Sequence, residues 1–222
     1  MVEAVTTLLR CLALLLVLPA VPSAVFAHRL DEYLQATLVS IEPGEIRLEI
    51  NLTPGVAIAG QVLALIDRDH DGVISTNEAA AYAGLLKRDL RVLLDHREIY
   101  LNLTAINFPA PAELRTGWGI IQIEFRGKLG LLVAGSHRIA IENRHLPALS
   151  VYLLNAALSK SADIHIARQS RNDTQGAGEI EFIFHQPAGS FSALGIVAAL
   201  AVLLAALHAR AGRAVKRSPS SV

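Results

Sequence analysis

The chain has one cysteine, one tryptophan and one methionine in 222 residues, and aromatic side chains make up only 5% of it. Cys11 alone cannot close an internal disulfide. It also sits in a segment expected to be removed, which excludes thiolate catalysis and zinc–thiolate sites from the rest. So few rings leave little material for a stacking platform. Charge is sparse as well: 18% of residues are charged and the formal net charge is zero. No Gly-rich phosphate loop, nucleophile elbow or HExxH motif occurs in the sequence.

What the chain does have is two apolar ends. Residues 12–18, LALLLVL, follow Arg10, and Val25-Phe26-Ala27 supplies the small residues of a signal-peptidase site. This pattern predicts a cleaved signal peptide over 1–27, with His28 as the new amino terminus. Gly189 to Ala209 carries no Asp, Glu, Lys or Arg, and it is about the ~20 residues that a membrane-spanning helix needs. Arg210, Arg213, Lys216 and Arg217 follow in a basic tail over 210–222. The positive-inside rule then predicts a single-pass protein of the bacterial inner membrane, tail in the cytoplasm and residues 28–188 outside it. The leader takes one acid and one base and the tail four bases, which leaves the outer domain at a net −4. Nucleic acid is a poor partner for such a domain; cations suit it.

Residues 28–188 read mainly as short strands. Glu45 to Leu52 alternates Ile46, Leu48, Ile50 and Leu52 with polar residues, the period of a strand buried on one side. Similar runs lie at Tyr33–Ile41, Glu98–Thr104, Gly119–Arg126, His137–Glu142, Val151–Asn155, Ile164–Arg168 and Glu179–His185. The expected fold is therefore mainly β, an antiparallel sandwich or open barrel, with a helix–loop–helix inserted at 54–87 and one transmembrane helix at the C-terminal side.

The inserted segment contains DRDHDGVISTNE, Asp67 to Glu78, which reads position for position as an EF-hand calcium loop. Calcium takes six to eight oxygen ligands, so the loop must turn several oxygens inward within a short span. Asp67, Asp69 and Asp71 supply carboxylates at positions one, three and five. Gly72 stands at position six, where the chain bends sharply. Val73 offers its carbonyl, Ser75 acts directly or through water, and Glu78 closes the shell with two oxygens. Ser75 and Glu78 also fit a helix capping box, and the two roles are compatible. Apolar residues spaced three and four apart before Asp67, and an Ala- and Leu-rich run to Lys87 after it, predict the flanking helices. Sensor hands usually work in pairs, so a lone one points to a structural or low-affinity site.

Other candidates are simpler. His28, once freed, has an amine and an imidazole for Cu²⁺ or Ni²⁺, with His145 as a second transition-metal candidate. Glu142-Asn143-Arg144-His145 and Arg171-Asn172-Asp173 read as turns or ligand-facing loops. His137, His165 and His185 alternate with apolar neighbours and are expected on a solvent face, and Trp118 in the core or at its rim.

From Ala27-His28 through the first strands, the helix before Asp67, DRDHDGVISTNE, Ala79–Tyr82 and Leu93–Leu103, the chain resembles the extracytoplasmic amino-terminal domain that precedes bacterial permeases of the nickel/cobalt exporter type. The resemblance covers residues 27–104. Those permeases continue into several membrane spans, whereas one is expected here, so the resemblance implies an accessory version of the outer domain, with a metal permease or other membrane protein as partner. The leading expectation is a non-enzymatic, calcium-binding, membrane-anchored domain. Capture of Ni, Co or Cu for a permease is the alternative. A glycan-active enzyme ranks third because no catalytic carboxylate pair stands out.

Overall fold

A computed structural model describes residues 31–186. The expected signal peptide with Cys11, the new terminus His28, the apolar segment 189–209 and the basic tail lie outside the described residues. Among the described residues no helix is long and apolar enough to cross a membrane.

Among the described residues, ten strands form two five-stranded sheets. In chain order they are β1 (Tyr33–Glu42), β2 (Glu45–Pro54), β3 (Leu90–Leu94), β4 (Arg97–Glu98), β5 (Leu101–Asn107), β6 (Ile121–Lys128), β7 (Gly135–Asn143), β8 (Ser150–Ala156), β9 (Ile164–Arg171) and β10 (Ala177–Phe184). Three helices join them: α1 (Ala59–Ile66), α2 (Thr76–Asp89) and α3 (Pro111–Arg115). The first sheet runs β5-β6-β2-β1-β8 and the second β4-β3-β7-β10-β9. Pairing is antiparallel throughout except between β1 and β8, which run parallel. The first sheet is thus mixed rather than purely antiparallel. No backbone ladder joins the two sheets among the described residues, which is the arrangement of a sandwich and not of a closed barrel.

Alternation explains the core. Ile46, Leu48, Ile50 and Leu52 of β2 face Ile121, Ile123 and Phe125 of β6 on the same inner surface, and Ile139, Ile141, Ile180, Phe182 and Phe184 cover them from the second sheet. The β1–β2 hairpin turns through Pro43 and Gly44, whose φ of 85° is open to glycine at little cost. The free edge of β8 is covered by side chains of β9. Gln169 accepts from the Ala156 N–H at 3.0 Å and donates to the Leu154 carbonyl at 2.8 Å, and the Arg171 guanidinium donates to that carbonyl too. Such capping blunts an edge that could otherwise recruit another strand.

Three departures from the sequence reading have physical causes. The single strand expected at Glu98–Thr104 is two: β4 belongs to the second sheet and β5 to the first, with the chain crossing between them at Ile99-Tyr100. A period-two pattern cannot register a change of sheet. Strand β3 begins at Leu90, directly where α2 ends at Asp89; no turn residue marks the switch. Helix α3 is five residues long with Pro111 at its start, too short for an apolar period to show.

Gly178 lies where the two sheets press together. A Cβ there would stand 2.5 Å from the Ser170 carbonyl oxygen and 2.8 Å from Leu154 Cδ2. Gly178→Ala should therefore cost about 1–3 kcal/mol through overpacking, read as a lower midpoint in chemical denaturation; an unchanged midpoint would show that neither the β9 backbone nor Leu154 of the facing sheet crowds this position so closely.

Candidate metal centre

Helices α1 and α2 carry the chain from β2 in the first sheet to β3 in the second, and the acidic loop lies between them. Helix α1 buries Ala59, Val62, Leu63 and Ile66 along one face. The next residue, Asp67, leaves the helix with ψ 88° while its N–H still donates to the Leu63 carbonyl. The loop start is thus fixed by a buried isoleucine, and Ile74 anchors its far end against the core. Two residues, His70 (φ 60°) and Gly72 (φ 81°), take left-handed conformations that curl the chain back on itself.

The curl brings three carboxylates together. One oxygen from each of Asp67, Asp69 and Asp71 lies within 4.8 Å of the others. Loop N–H groups hold them in place: Gly72 donates to Asp67 Oδ2 at 3.1 Å, Asp71 to Asp69 Oδ1 at 3.2 Å and Val73 to Asp71 Oδ1 at 2.7 Å. Asp67 is only 6% exposed, and its Oδ1 is buried without any hydrogen-bond donor. A buried, unpaired carboxylate oxygen is expensive, and two further carboxylates beside it add repulsion. An oxygen-seeking divalent cation answers both costs, so the donor set fits one.

Ser75 and Glu78 are not members of that carboxylate trio. Ser75 is the N-cap of α2, its Oγ accepting from the Glu78 N–H at 3.3 Å. The Glu78 carboxylate accepts from the Ser75 N–H at 2.9 Å, the Ser75 hydroxyl at 2.8 Å and the Arg68 N–H at 2.7 Å. The Ser75 N–H and hydroxyl, then the Arg68 N–H, hold its carboxyl down at about 2. Of the two compatible roles, the structure displays the capping box: a Glu at this helix position meets N–H groups with no partner inside the helix. Val73 is exposed on its side-chain side, as a residue offering only its carbonyl can be.

A second polar cluster lies under α2. His145, expected as a metal candidate, is 2% exposed, and both its ring nitrogens are engaged. Nδ1 bonds Asp89 Oδ2 at 2.7 Å and Nε2 bonds the Tyr82 hydroxyl at 3.0 Å, which in turn meets the Tyr33 hydroxyl at 2.6 Å. Burial, outweighing the attraction of Asp89, lowers the His145 pKa. The neutral ring then donates through Nδ1 to Asp89 and accepts at Nε2 from Tyr82, and Tyr33 donates to Tyr82. No lone pair is left for a metal, so the transition-metal expectation for His145 is corrected. Its backbone is held as firmly: its carbonyl accepts from Gln35 Nε2 at 2.8 Å and from the Tyr152 hydroxyl at 3.0 Å, and its N–H donates to Asn143 Oδ1 at 2.9 Å. Leu146, next in the chain, is held at a φ of 50°, unusual for a branched residue.

Comparison with protein-family models, curated proteins and solved structures found no match.

The sequence reading missed Tyr33, Gln35, Tyr82 and Asp89 as members of this cluster. Gln35 could have been found, because it falls on the inward phase of β1 between Tyr33 and Thr37, where an amide needs partners. His137 also departs from the solvent face expected for it: its Nδ1 bonds Asp95 at 2.7 Å, its Nε2 bonds the Val133 carbonyl at 2.7 Å, and it stacks on Phe182. Burial opposes its charge, but the hydrogen bonds to Asp95 and Val133 and the pull of Asp95 prevail and raise its pKa. His165 and His185 are exposed as expected. Trp118 is 85% exposed, outside the core rather than in it.

Tyr82→Phe would strand His145 Nε2 and the Tyr33 hydroxyl in the core, at a cost of about 1–3 kcal/mol in urea unfolding; a neutral outcome would mean that the cluster is not formed. By NMR titration, His145 should titrate below and His137 above the usual value of about 6.5. The consequences for stability have opposite signs. In His137→Gln only the His145 effect remains, so the stability it contributes is complete above about pH 6.5 and is lost as the pH falls through its depressed pKa.

Proposed function

We propose that this protein is a non-enzymatic, calcium-binding domain, exported and tethered to the bacterial inner membrane, with a binding or accessory role for a membrane partner such as a metal permease. The observation that carries the calcium reading is the buried Asp67 Oδ1, which lacks a donor beside two further carboxylates. The twelve-residue spacing from Asp67 to Glu78, with Gly72 at the bend, supports calcium over a cation of stricter geometry. Bound there, the ion would supply charge neutralisation and cross-linking, not a reaction. Asp67, Asp69 and Asp71 are preset to hold it; Glu78 joins them by giving up the Arg68 and Ser75 donors, which the sequence role of a bidentate closing ligand requires. Tethering is supported by the charge-free run Gly189–Ala209 and the basic residues after it.

Both ring nitrogens of His145 are engaged, by Asp89 and by Tyr82, so metal capture for transport gains nothing from the geometry. Extracytoplasmic EF-hands bind calcium at about 0.1–1 mM, where a calcium-replete medium keeps them filled, and this suits a structural ion better than a signal.

Calorimetric titration of the full chain in detergent should show one calcium ion bound in that range, with a matching rise in melting temperature. Glu78→Gln should weaken binding by more than the about 10-fold that loss of an outer-shell partner costs a metal site. Equal affinity in wild type and variant, or no heat of binding at millimolar calcium, would remove the assignment.

A further inference from the structure

We propose that the end of the sandwich opposite the acidic loop rests on a lipid bilayer, with Leu131, Val133, Leu158 and Tyr100 dipping into the polar interface. The inference rests on the tethered reading above and adds an orientation and a contact surface to it.

Single exposed apolar residues are ordinary, and only grouping gives them meaning. Leu131 is 98% exposed, Val133 75%, Leu158 87% and Tyr100 83%. All four fall in connections that meet at one end. The Leu129 N–H donates to the Gly44 carbonyl of the β1–β2 hairpin at 2.9 Å, and the Lys160 N–H donates to Glu42 of the same hairpin at 2.9 Å. These bonds bring the β6–β7 and β8–β9 loops together beside that turn. Tyr100 belongs there too, since the next residue, Leu101, pairs with Gly127 at the end of β6.

The described chain leaves at this same end. Phe184, the last residue of β10, pairs with Gly135 and with Ile164, the residues that close those two loops, and the His185 N–H donates to the Asp163 carbonyl at 2.7 Å. From His185 to Gly189, where the charge-free run begins, a fully extended chain reaches at most about 14 Å. The polar layer on one side of a bilayer is about 5–7 Å thick. With residues 189–209 in the bilayer, the loop end is thus held within about one domain loop's length of the acyl chains, close enough for its apolar tips to touch.

Charge decides which lipid is needed. Charge at this end is mixed rather than basic: Arg126 pairs with Glu45, His137 with Asp95, and Lys128 lies across from Glu45 in the strand register, so the described residues do not gather into a patch of cations alone that would grip anionic headgroups. Contact depends on aliphatic side chains and one tyrosine ring, a residue type at home in the interface. Zwitterionic lipid is sufficient.

The test uses the full chain carrying Cys11→Ser, with Leu131→Cys, Leu158→Cys or Ala199→Cys added singly, labelled with an environment-sensitive dye and reconstituted in phosphatidylcholine nanodiscs. Trp118, the only tryptophan, lies at the far end and reports in the same sample. The expected result is blue-shifted emission at 131 and 158 with quenching by nitroxide placed near the lipid headgroup. The dye at 199 should respond to deep nitroxide and Trp118 to neither. Dyes at 131 and 158 that stay open to iodide and indifferent to nitroxide lipid, while 199 is in lipid, overturn the docking and leave the tether. A dye at 199 that remains in water removes the tether and the docking with it. Shielding from iodide without nitroxide quenching means that protein, such as a second copy, covers the loops, and this also overturns the proposal.

Discussion

Helix α2 is the part on which the rest of the structure depends, because polar groups fix it at both ends in a domain otherwise held by apolar packing. At its start, Ser75 and Glu78 satisfy each other's backbone donors. At its last residue, Asp89 holds His145, and from its middle Tyr82 reaches the same ring and Tyr33 of β1. A buried hydrogen bond contributes only about 0.5–1.5 kcal/mol net, but leaving its partner unsatisfied costs more. The cluster under α2 therefore acts less as glue than as a constraint: one placement of the helix pairs every group, and displaced placements strand several.

That constraint ties the acidic loop to the sandwich. The loop is the segment immediately before α2, and Glu78 belongs to both. Anything that draws the Glu78 carboxylate toward Asp67, Asp69 and Asp71 must exchange its Arg68 and Ser75 donors while the helix behind it stays anchored through Tyr82 and Asp89. A cation at the loop would then tighten one junction between the two sheets rather than open it, since α1 and α2 form one of the connections that carry the chain from the first sheet to the second. This is the physical content of a structural, rather than a signalling, ion. The end proposed to meet lipid stands apart from it: β1 and β2, ten residues each, hold the two ends about 30 Å apart. A domain docked as proposed would present its acidic loop on the side away from the membrane.

Much of this was legible in the sequence where one physical rule governs a run of residues. The alternation in β2 and the acid-Gly-Glu spacing of the loop are patterns of that kind, and both correspond to what the structure contains: a strand buried on one face, and three carboxylates drawn together. The loop's closing residue shows the boundary. Glu78 has the right type for two roles, and spacing alone does not say which partners it takes. His145 was misread for a related reason. An imidazole after a polar run looks available, and only the meeting of β1, α2 and the β7–β8 connection shows that both its nitrogens are occupied. Contacts between residues 49 to 110 positions apart, such as Tyr33 with Tyr82 or Gln35 with His145, leave no local periodicity. The crossing at Ile99-Tyr100 is silent likewise, because a strand keeps its pattern when it changes sheets.

The most direct test of the account is a calcium titration followed by backbone amide NMR. Gly72 donates to Asp67 Oδ2 at the bend of the loop, so its resonance reports on the carboxylate that the ion would engage. The account predicts that Gly72 and its neighbours from Asp67 to Glu78 shift together and saturate at one calcium per chain, while the amides of β6 and β10 stay in place. Loop resonances that do not move at millimolar calcium would contradict it.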